Sequence, residues 1–186
     1  MSRDLDDFGR RLAKAIDDIL LELMESSSRE RCDYSASDVK EKVENTLKCF
    51  EVEAESKGDS LLARHCRYSI TRTTLLAQTE LGCDSCVLLN AWEELVEAKR
   101  ILDEAGGILK DVNVHCDRYE SAYEMGLAAM IVLTNLWERG QYGTARVFLN
   151  RVEGVVNVLE QAKQSHIRQL ASEFRRWFTR VKRGTS

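Results

Sequence analysis

Two glutamates three residues apart have the clearest catalytic potential in the sequence. Glu94 and Glu97 lie in a segment with helical apolar spacing, so a helix places both carboxylates on one face. Paired carboxylates hold Mg²⁺ or orient a water molecule for hydrolysis. Lys99 and Arg100 follow directly, and neighbouring cations are typical of a solvated helix face. We therefore expect no catalytic residues and no cofactor, with Glu94, Glu97 and Mg²⁺ as the alternative.

A second group of residues has the ligand types of a zinc site. Cys83 and Cys86 have Cys-x2-Cys spacing, and His115 with Cys116 follows downstream, which gives the four soft ligands of a tetrahedral site. His115 and Cys116 are adjacent, so only an unusual turn points both at one ion. We expect reduced cysteines without a metal, and Cys66 and Cys86 as small core residues. A metal site at these four ligand positions is the alternative.

The segment from Ser165 to Ser186 is strongly basic. It holds six basic residues and one acid, a local charge of +5, while the rest of the chain sums to -9. Such a segment binds RNA phosphates, an acidic protein or an anionic membrane, or it complements the dipole of a solvated helix end. We expect Trp177 to be buried and the arginines to meet acids of another protein or a second copy. The candidate binding residues are Arg168, Arg175, Arg176, Trp177, Arg180, Lys182 and Arg183.

The elements that position these residues are helices. The chain contains no proline, the residue that most often interrupts a helix. Apolar residues recur at three- and four-residue spacing, and no stretch alternates at the period of two that a strand needs. Gly58, Gly82 and Gly140 stand where helices should stop. We predict an all-α fold, a single bundle of six or seven helices forming one domain over residues 1–186.

Two local patterns predict where individual helices begin and break. Asp38 with Glu41 three residues later resembles a capping pair for the second helix. Beyond Gly143 the apolar spacing predicts either one long helix or two helices with a break between Lys163 and Ser165. The basic segment 164–186 is the last helix. In the unbroken version the helix is about 60 Å long and projects from the bundle.

Two short segments resemble the helical motifs of the translin and TRAX family. They are Ala91-Trp92-Glu93-Glu94-Leu95-Val96-Glu97-Ala98 and Tyr123-Glu124-Met125-Gly126-Leu127-Ala128. The resemblance covers roughly the last hundred residues. It implies an all-helical fold, subunits that assemble into a hollow oligomer, and RNA that is bound and cleaved inside. Glu94 and Glu97 match the family's metal-binding glutamates, whereas Ala122 stands where the family has an aspartate.

The start of the chain and its hydropathy bear on where the protein acts. Acids stand at the N-terminus where a secretory signal has bases, and no apolar run approaches the ~18 residues of a membrane span. We expect an intracellular, cytoplasmic protein. Apolar helix faces without an evident active site favour a non-catalytic protein–protein interaction or scaffold module that self-associates. The alternative is a translin-like subunit that binds RNA or cleaves it with Mg²⁺.

Overall fold

A computed structural model describes residues 2–27, 35–105 and 118–184, and nearly all of these residues are helical. No strand occurs within these ranges, so the all-α prediction is confirmed. The eight helices are α1 (Ser2–Ser27), α2 (Ala36–Ser56), α3 (Ser60–Glu80), α4 (Ser85–Glu104), α5 (Arg118–Glu138), α6 (Tyr142–Arg151), α7 (Glu153–Glu160) and α8 (Ser165–Arg183).

The chain divides into two compact units, Met1–His115 and Cys116–Ser186. The prediction of one domain over residues 1–186 stays a prediction. None of the helices in the described part of the chain is long and apolar enough to cross a membrane.

In the first unit, α3 is the central helix and packs against α1, α2 and α4. The apolar stripe of each helix faces this core, as its spacing predicts. Phe8 of α1 meets Phe50 of α2 edge to face, with ring centroids 5.5 Å apart. The buried core of α1, α2 and α3 consists of Phe8, Leu12, Ile19, Leu23, Val39, Val43, Leu47, Phe50, Ala54, Leu62, Ala63, Cys66, Ile70 and Ala77.

The ends of the helices in the first unit follow mostly local rules. Gly58 and Gly82 have positive φ angles of 70° and 77° and end α2 and α3, a backbone conformation that glycine adopts without strain. The capping prediction for α2 is wrong by three residues. The capping box joins Ser35 to Asp38, with the Ser35 hydroxyl accepting from the Asp38 amide and the Asp38 carboxylate accepting from the Ser35 amide.

In the second unit, α5 packs against α6, α7 and α8, and Gly126 allows the close approach of α5 to α7 and α8. A Cβ atom at Gly126 would lie 2.9 Å from Cδ2 of Leu170 and 3.1 Å from Cδ1 of Leu159. Gly126 belongs to the segment that resembles the translin motif. Its contacts give it a packing role in this fold.

The helices after Gly140 differ in number from the prediction. The chain breaks between Glu160 and Ser165, as one of the two predicted versions has it, so the unbroken rod does not form. A second break at Val152 separates α6 from α7, which raises the helix count in the described residues to eight. Helix α8 packs along α5, α6 and α7.

Candidate functional site: an arginine groove on the last helix

The basic surface of α8 forms one wall of an open groove. The apolar face of the helix is buried in the second unit through Ile167, Leu170, Ala171, Phe174 and Val181. The opposite face therefore points to solvent and carries the arginines. The groove has a volume of about 710 Å³. We name it the arginine groove, and its lining is Glu160, Arg168, Ala171, Ser172, Arg175, Arg176, Thr179, Arg180 and Arg183.

Arg175 is held by α7, within the same unit. Its Nε atom donates to Glu160 at 2.5 Å, and its Nη2 atom donates to Asn157 at 2.9 Å. The hydrogen bond from Arg175 lowers the pKa of Glu160 below its ordinary value. Arg175 therefore has an acid partner on the helix beside it, and the expectation that it also meets an acid on another molecule stays a prediction.

Arg180 lies over two tryptophan rings. Its guanidinium carbon is 4.8 Å from the ring centroid of Trp137 and 5.0 Å from that of Trp177. The two rings meet edge to face at 5.3 Å. Trp177 is only half-buried, so the prediction that it lies inside the bundle is wrong. The ring forms the base on which Arg180 is oriented, and cation–π contacts of this kind hold an arginine in a fixed direction.

Arg168 and Arg176 of the groove are less constrained. Arg176 is exposed and makes no ion pair with any residue that the structure describes. Arg168 is exposed, and its Nη1 atom donates a long hydrogen bond of 3.4 Å to the Ala162 carbonyl. Arg183 lines the groove in the last turn of α8, whereas Lys182 points into a different cavity between α6 and α8.

Glu94 and Glu97 occupy α4 as predicted, but each carboxylate is bound to a different cation. Lys40 of α2 donates to Glu94 at 3.1 Å. Arg100 donates to both oxygens of Glu97, at 2.6 and 2.8 Å, and lowers the pKa of Glu97 below its ordinary value. Among the described residues, no group of three or more histidine, cysteine or acidic side chains is close enough to hold a metal ion.

The zinc ligand set is only partly within the described residues. Cys83 is buried just before α4, and Cys86 is exposed in the first turn of that helix. The prediction that Cys86 fills the core is therefore wrong, whereas the prediction for Cys66 is confirmed because Cys66 is fully buried. His115 and Cys116 lie outside the described residues, so the four-ligand arrangement stays a prediction.

Sequence reasoning missed a second groove, between α6 and α8. It consists of two adjoining cavities of about 330 Å³ each, and Arg146 and Val181 line both of them. We name it the α6–α8 groove, and its lining is Trp137, Tyr142, Gly143, Arg146, Leu149, Asn150, Phe178, Val181, Lys182 and Gly184. The available signal was Tyr142 and Arg146 at four-residue spacing, which places an exposed aromatic ring and a cation on one helix face.

The described geometry thus contains one cationic groove on α8, one apolar groove with a cationic rim beside it, and a glutamate pair whose charges are neutralised locally. The resemblance to the translin and TRAX family stays a prediction. Comparison of the chain with protein-family models, with curated proteins and with solved structures finds no match.

Proposed function

We propose that the protein is a non-catalytic helical interaction module whose arginine groove binds an acidic segment of another protein. The observation that carries the proposal is the composition of the groove, in which five arginines stand against one acid, Glu160. Arginine is the residue best suited to bind carboxylates, because its planar group donates two parallel hydrogen bonds to one carboxylate.

The arrangement of the arginines suits an extended ligand. Arg168 and Arg183 are 15 residues apart on one helix, which corresponds to about 22 Å along the axis. Arg175 and Arg180 are already oriented by Glu160 and by the tryptophan rings, so less side-chain entropy is lost when a ligand binds them. A ligand that lies along the groove therefore meets cations over its whole length.

A protein ligand fits the groove better than single-stranded RNA does. Proteins that bind RNA strands stack the bases on aromatic rings, and no aromatic side chain lines the arginine groove within the described residues. The wall between the arginines consists of Ala171, Ser172, Thr179 and arginine methylenes. Such a wall contacts the small or aliphatic side chains of a peptide. Glu160 also repels a continuous line of phosphates more than it repels spaced carboxylates.

The test is a binding titration with three defined probes. They are a labelled peptide of mixed glutamate and leucine, a polyglutamate peptide, and an oligouridylate of equal charge. We expect the mixed peptide to bind more tightly than the other two, with an affinity that falls as salt is raised. Replacing Arg168 and Arg176 by glutamate should weaken binding by about tenfold or more, because two exposed attractive charges become repulsive.

The matched control reverses the same number of charges elsewhere. Lys14 of α1 and Arg64 of α3 are both exposed, and the variant Lys14→Glu/Arg64→Glu should bind the mixed peptide as the unmodified chain does. If the oligouridylate binds as tightly as the mixed peptide, or if the control weakens binding as much as the groove variant, the acidic-protein proposal is wrong. Cleavage of the oligouridylate that requires Mg²⁺ would instead favour the translin-like alternative.

A further inference from the structure

The α6–α8 groove has the form of a docking site for an apolar ridge. The rings of Trp137 and Tyr142 contact each other at a tilt of 56°, with centroids 4.5 Å apart, and line one cavity. Leu149 and Phe178 line the other. Tyr142 is 55% exposed, so the first cavity is open to solvent. Each cavity is large enough for an aliphatic side chain, and the two lie next to each other because they share Val181.

The rim of this groove is positive. Arg146 borders both cavities and Lys182 borders the second, and no acidic residue lines either cavity among the described residues. An occupant that fits must therefore present two neighbouring apolar side chains with carboxylates around them. A helix presents such a pair at a spacing of three or four residues.

A surface of that description lies on α1 of the same chain. Leu21 is 60% exposed, the largest exposed fraction of any large apolar side chain in the described residues, and Met24 is 38% exposed one turn later. Asp17, Asp18 and Glu25 are exposed on the turns before and after Leu21. We name the surface formed by these five residues the Leu21 ridge. Its apolar pair has the spacing, and its acids have the charge, that the α6–α8 groove requires.

The charges of the two units point to the same pairing. Residues 1–115 hold 24 acidic and 16 basic residues, a net charge of -8, and residues 116–186 hold 7 acidic and 11 basic residues, a net charge of +4, which together give the chain's -4. The first unit of one copy and the second unit of another copy therefore attract each other over distances longer than a contact. Asp17 and Asp18 make no ion pair with any described residue, so both carboxylates are available to a second copy.

We propose that the protein self-associates by docking the Leu21 ridge of one copy into the α6–α8 groove of a second copy. Leu21 and Met24 enter the two cavities, and Asp17 and Asp18 face Arg146 on the rim. The ridge and the groove are different surfaces, so each contact is heterologous, and copies pair reciprocally or add head to tail. The arginine groove lies on other residues of α8, so this contact does not depend on the proposed binding of an acidic segment.

The first experiment measures the mass of the protein by sedimentation over a range of concentrations at low salt. We expect the weight-average mass to rise above the 21.2 kDa of one chain as concentration increases, and salt to reduce the rise. Leu21→Glu on the ridge and Tyr142→Glu in the groove should each weaken association by about tenfold or more, as expected for anchor residues. Leu21 is 60% exposed, so thermal melting of Leu21→Glu should stay close to that of the unmodified chain. Tyr142→Glu loses the ring contact with Trp137 and should melt slightly lower, and its unchanged helical circular dichroism would show that it stays folded.

Two matched controls place glutamate at exposed apolar positions outside the proposed contact. Val52 of α2 is 50% exposed and Val147 of α6 is 44% exposed, and neither belongs to the ridge or lines the groove. Val52→Glu and Val147→Glu should associate as the unmodified chain does. A control that abolishes association as Leu21→Glu does would show that charge alone, and not the site, is being measured, which overturns the proposal.

The decisive experiment mixes the two contact variants. The Leu21→Glu chain retains a working groove, and the Tyr142→Glu chain retains a working ridge. At a concentration where each variant alone is monomeric and the unmodified chain associates, an equimolar mixture of the two should form a complex of two chains. A mixture that stays monomeric overturns the proposal, because it shows that the two substitutions do not disable complementary surfaces. An unmodified chain that stays monomeric at every concentration also overturns it. The double variant Arg168→Glu/Arg176→Glu should still associate, which separates this result from failure of the arginine groove.

Discussion

Arg67 of the first unit and two arginines of the second unit differ in their acid partners. In the first unit, Arg67 donates to Glu44 at 2.8 Å and also binds Glu51, so two acids of α2 neutralise one cation of α3. In the second unit, Arg168 and Arg176 face solvent on α8. The difference follows from the supply of acids, since acidic residues outnumber basic ones in the first unit and are outnumbered in the second. Cations in excess of their local acids are the ones available to a partner.

Arg11 and Arg180 show a similar contrast. Arg11 of α1 donates to Glu53 of α2 at 2.9 Å and lies 5.5 Å from the ring centroid of Phe8. Arg180 of α8 has two rings beneath it and no carboxylate partner among the described residues. Stacking without an ion pair leaves the hydrogen-bonding edge of the guanidinium directed outwards. An arginine that is fixed but not neutralised is therefore a better indicator of a binding surface than an arginine that is only exposed.

The largest effect on the free energy of unfolding is expected from removing a buried ring of α8, compared with removing a half-buried ring of the same helix. Phe174→Ala should lower the free energy of unfolding by about 3–5 kcal/mol, because Phe174 is fully buried in the second unit. Trp177→Ala should cost less, about 1–2 kcal/mol, because the half-buried ring loses mainly its contacts with Trp137 and Arg180. Urea denaturation of both variants checks the order. An equal loss for the two variants would mean that Trp177 contributes as much to the core of this unit as Phe174 does.

The second prediction concerns how stability depends on pH, through the buried histidine of the first unit. Burial lowers the pKa of His65 in α3 to about 4. As the pH falls, the imidazole of His65 is protonated in the unfolded chain before it is protonated in the folded chain. The free energy of unfolding therefore decreases between about pH 6.5 and about pH 4, by about 3 kcal/mol in total. Urea denaturation at stepped pH measures the loss. His65→Gln should remove most of the slope above pH 5.

The third prediction compares one arginine from each unit. Arg67→Met breaks contacts with two acids at a partly exposed site, and after solvent screening we expect a loss of about 1 kcal/mol. Arg176→Met removes no ion pair and should change stability by less than about 0.5 kcal/mol. Thermal melting should show the larger loss of stability for Arg67→Met. The peptide titration should show the larger loss of binding for Arg176→Met. Equal effects in both measurements would remove the distinction between neutralised and surplus arginines.

Helix boundaries were predictable where the signal is a single residue. Gly58, Gly82 and Gly140 all have positive φ angles and end helices, as their residue type predicts. The capping prediction for α2 failed because Ser35–Asp38 and Asp38–Glu41 have the same three-residue spacing, and spacing alone does not choose between them. The break at Val152 was not predictable, because apolar positions continue through it without a change of period.

The candidate site was predictable in composition but not in pairing. The cluster of cations on α8 is visible in the sequence because all of them lie in one short segment. The partner of Arg175 was not visible, since Glu160 belongs to α7 and approaches only when the two helices pack together. The α6–α8 groove was missed for the same reason, because its two walls come from segments about 35 residues apart whose contact is tertiary.

The smallest effect is expected for Glu94 and Glu97 of α4. The test is whether these two carboxylates only form ion pairs within the first unit or also bind a metal ion. Glu94 is bound by Lys40 and Glu97 by Arg100, so a Mg²⁺ ion must displace both cations before it meets two free carboxylates. We expect Glu94→Gln/Glu97→Gln to melt as the unmodified chain does, and Mg²⁺ to shift neither melting curve. A bound ion stabilises the folded chain by mass action, so a Mg²⁺-dependent rise in melting temperature that the double variant lacks would establish a metal site. That result would assign Glu94 and Glu97 to a metal site instead of to structural ion pairs.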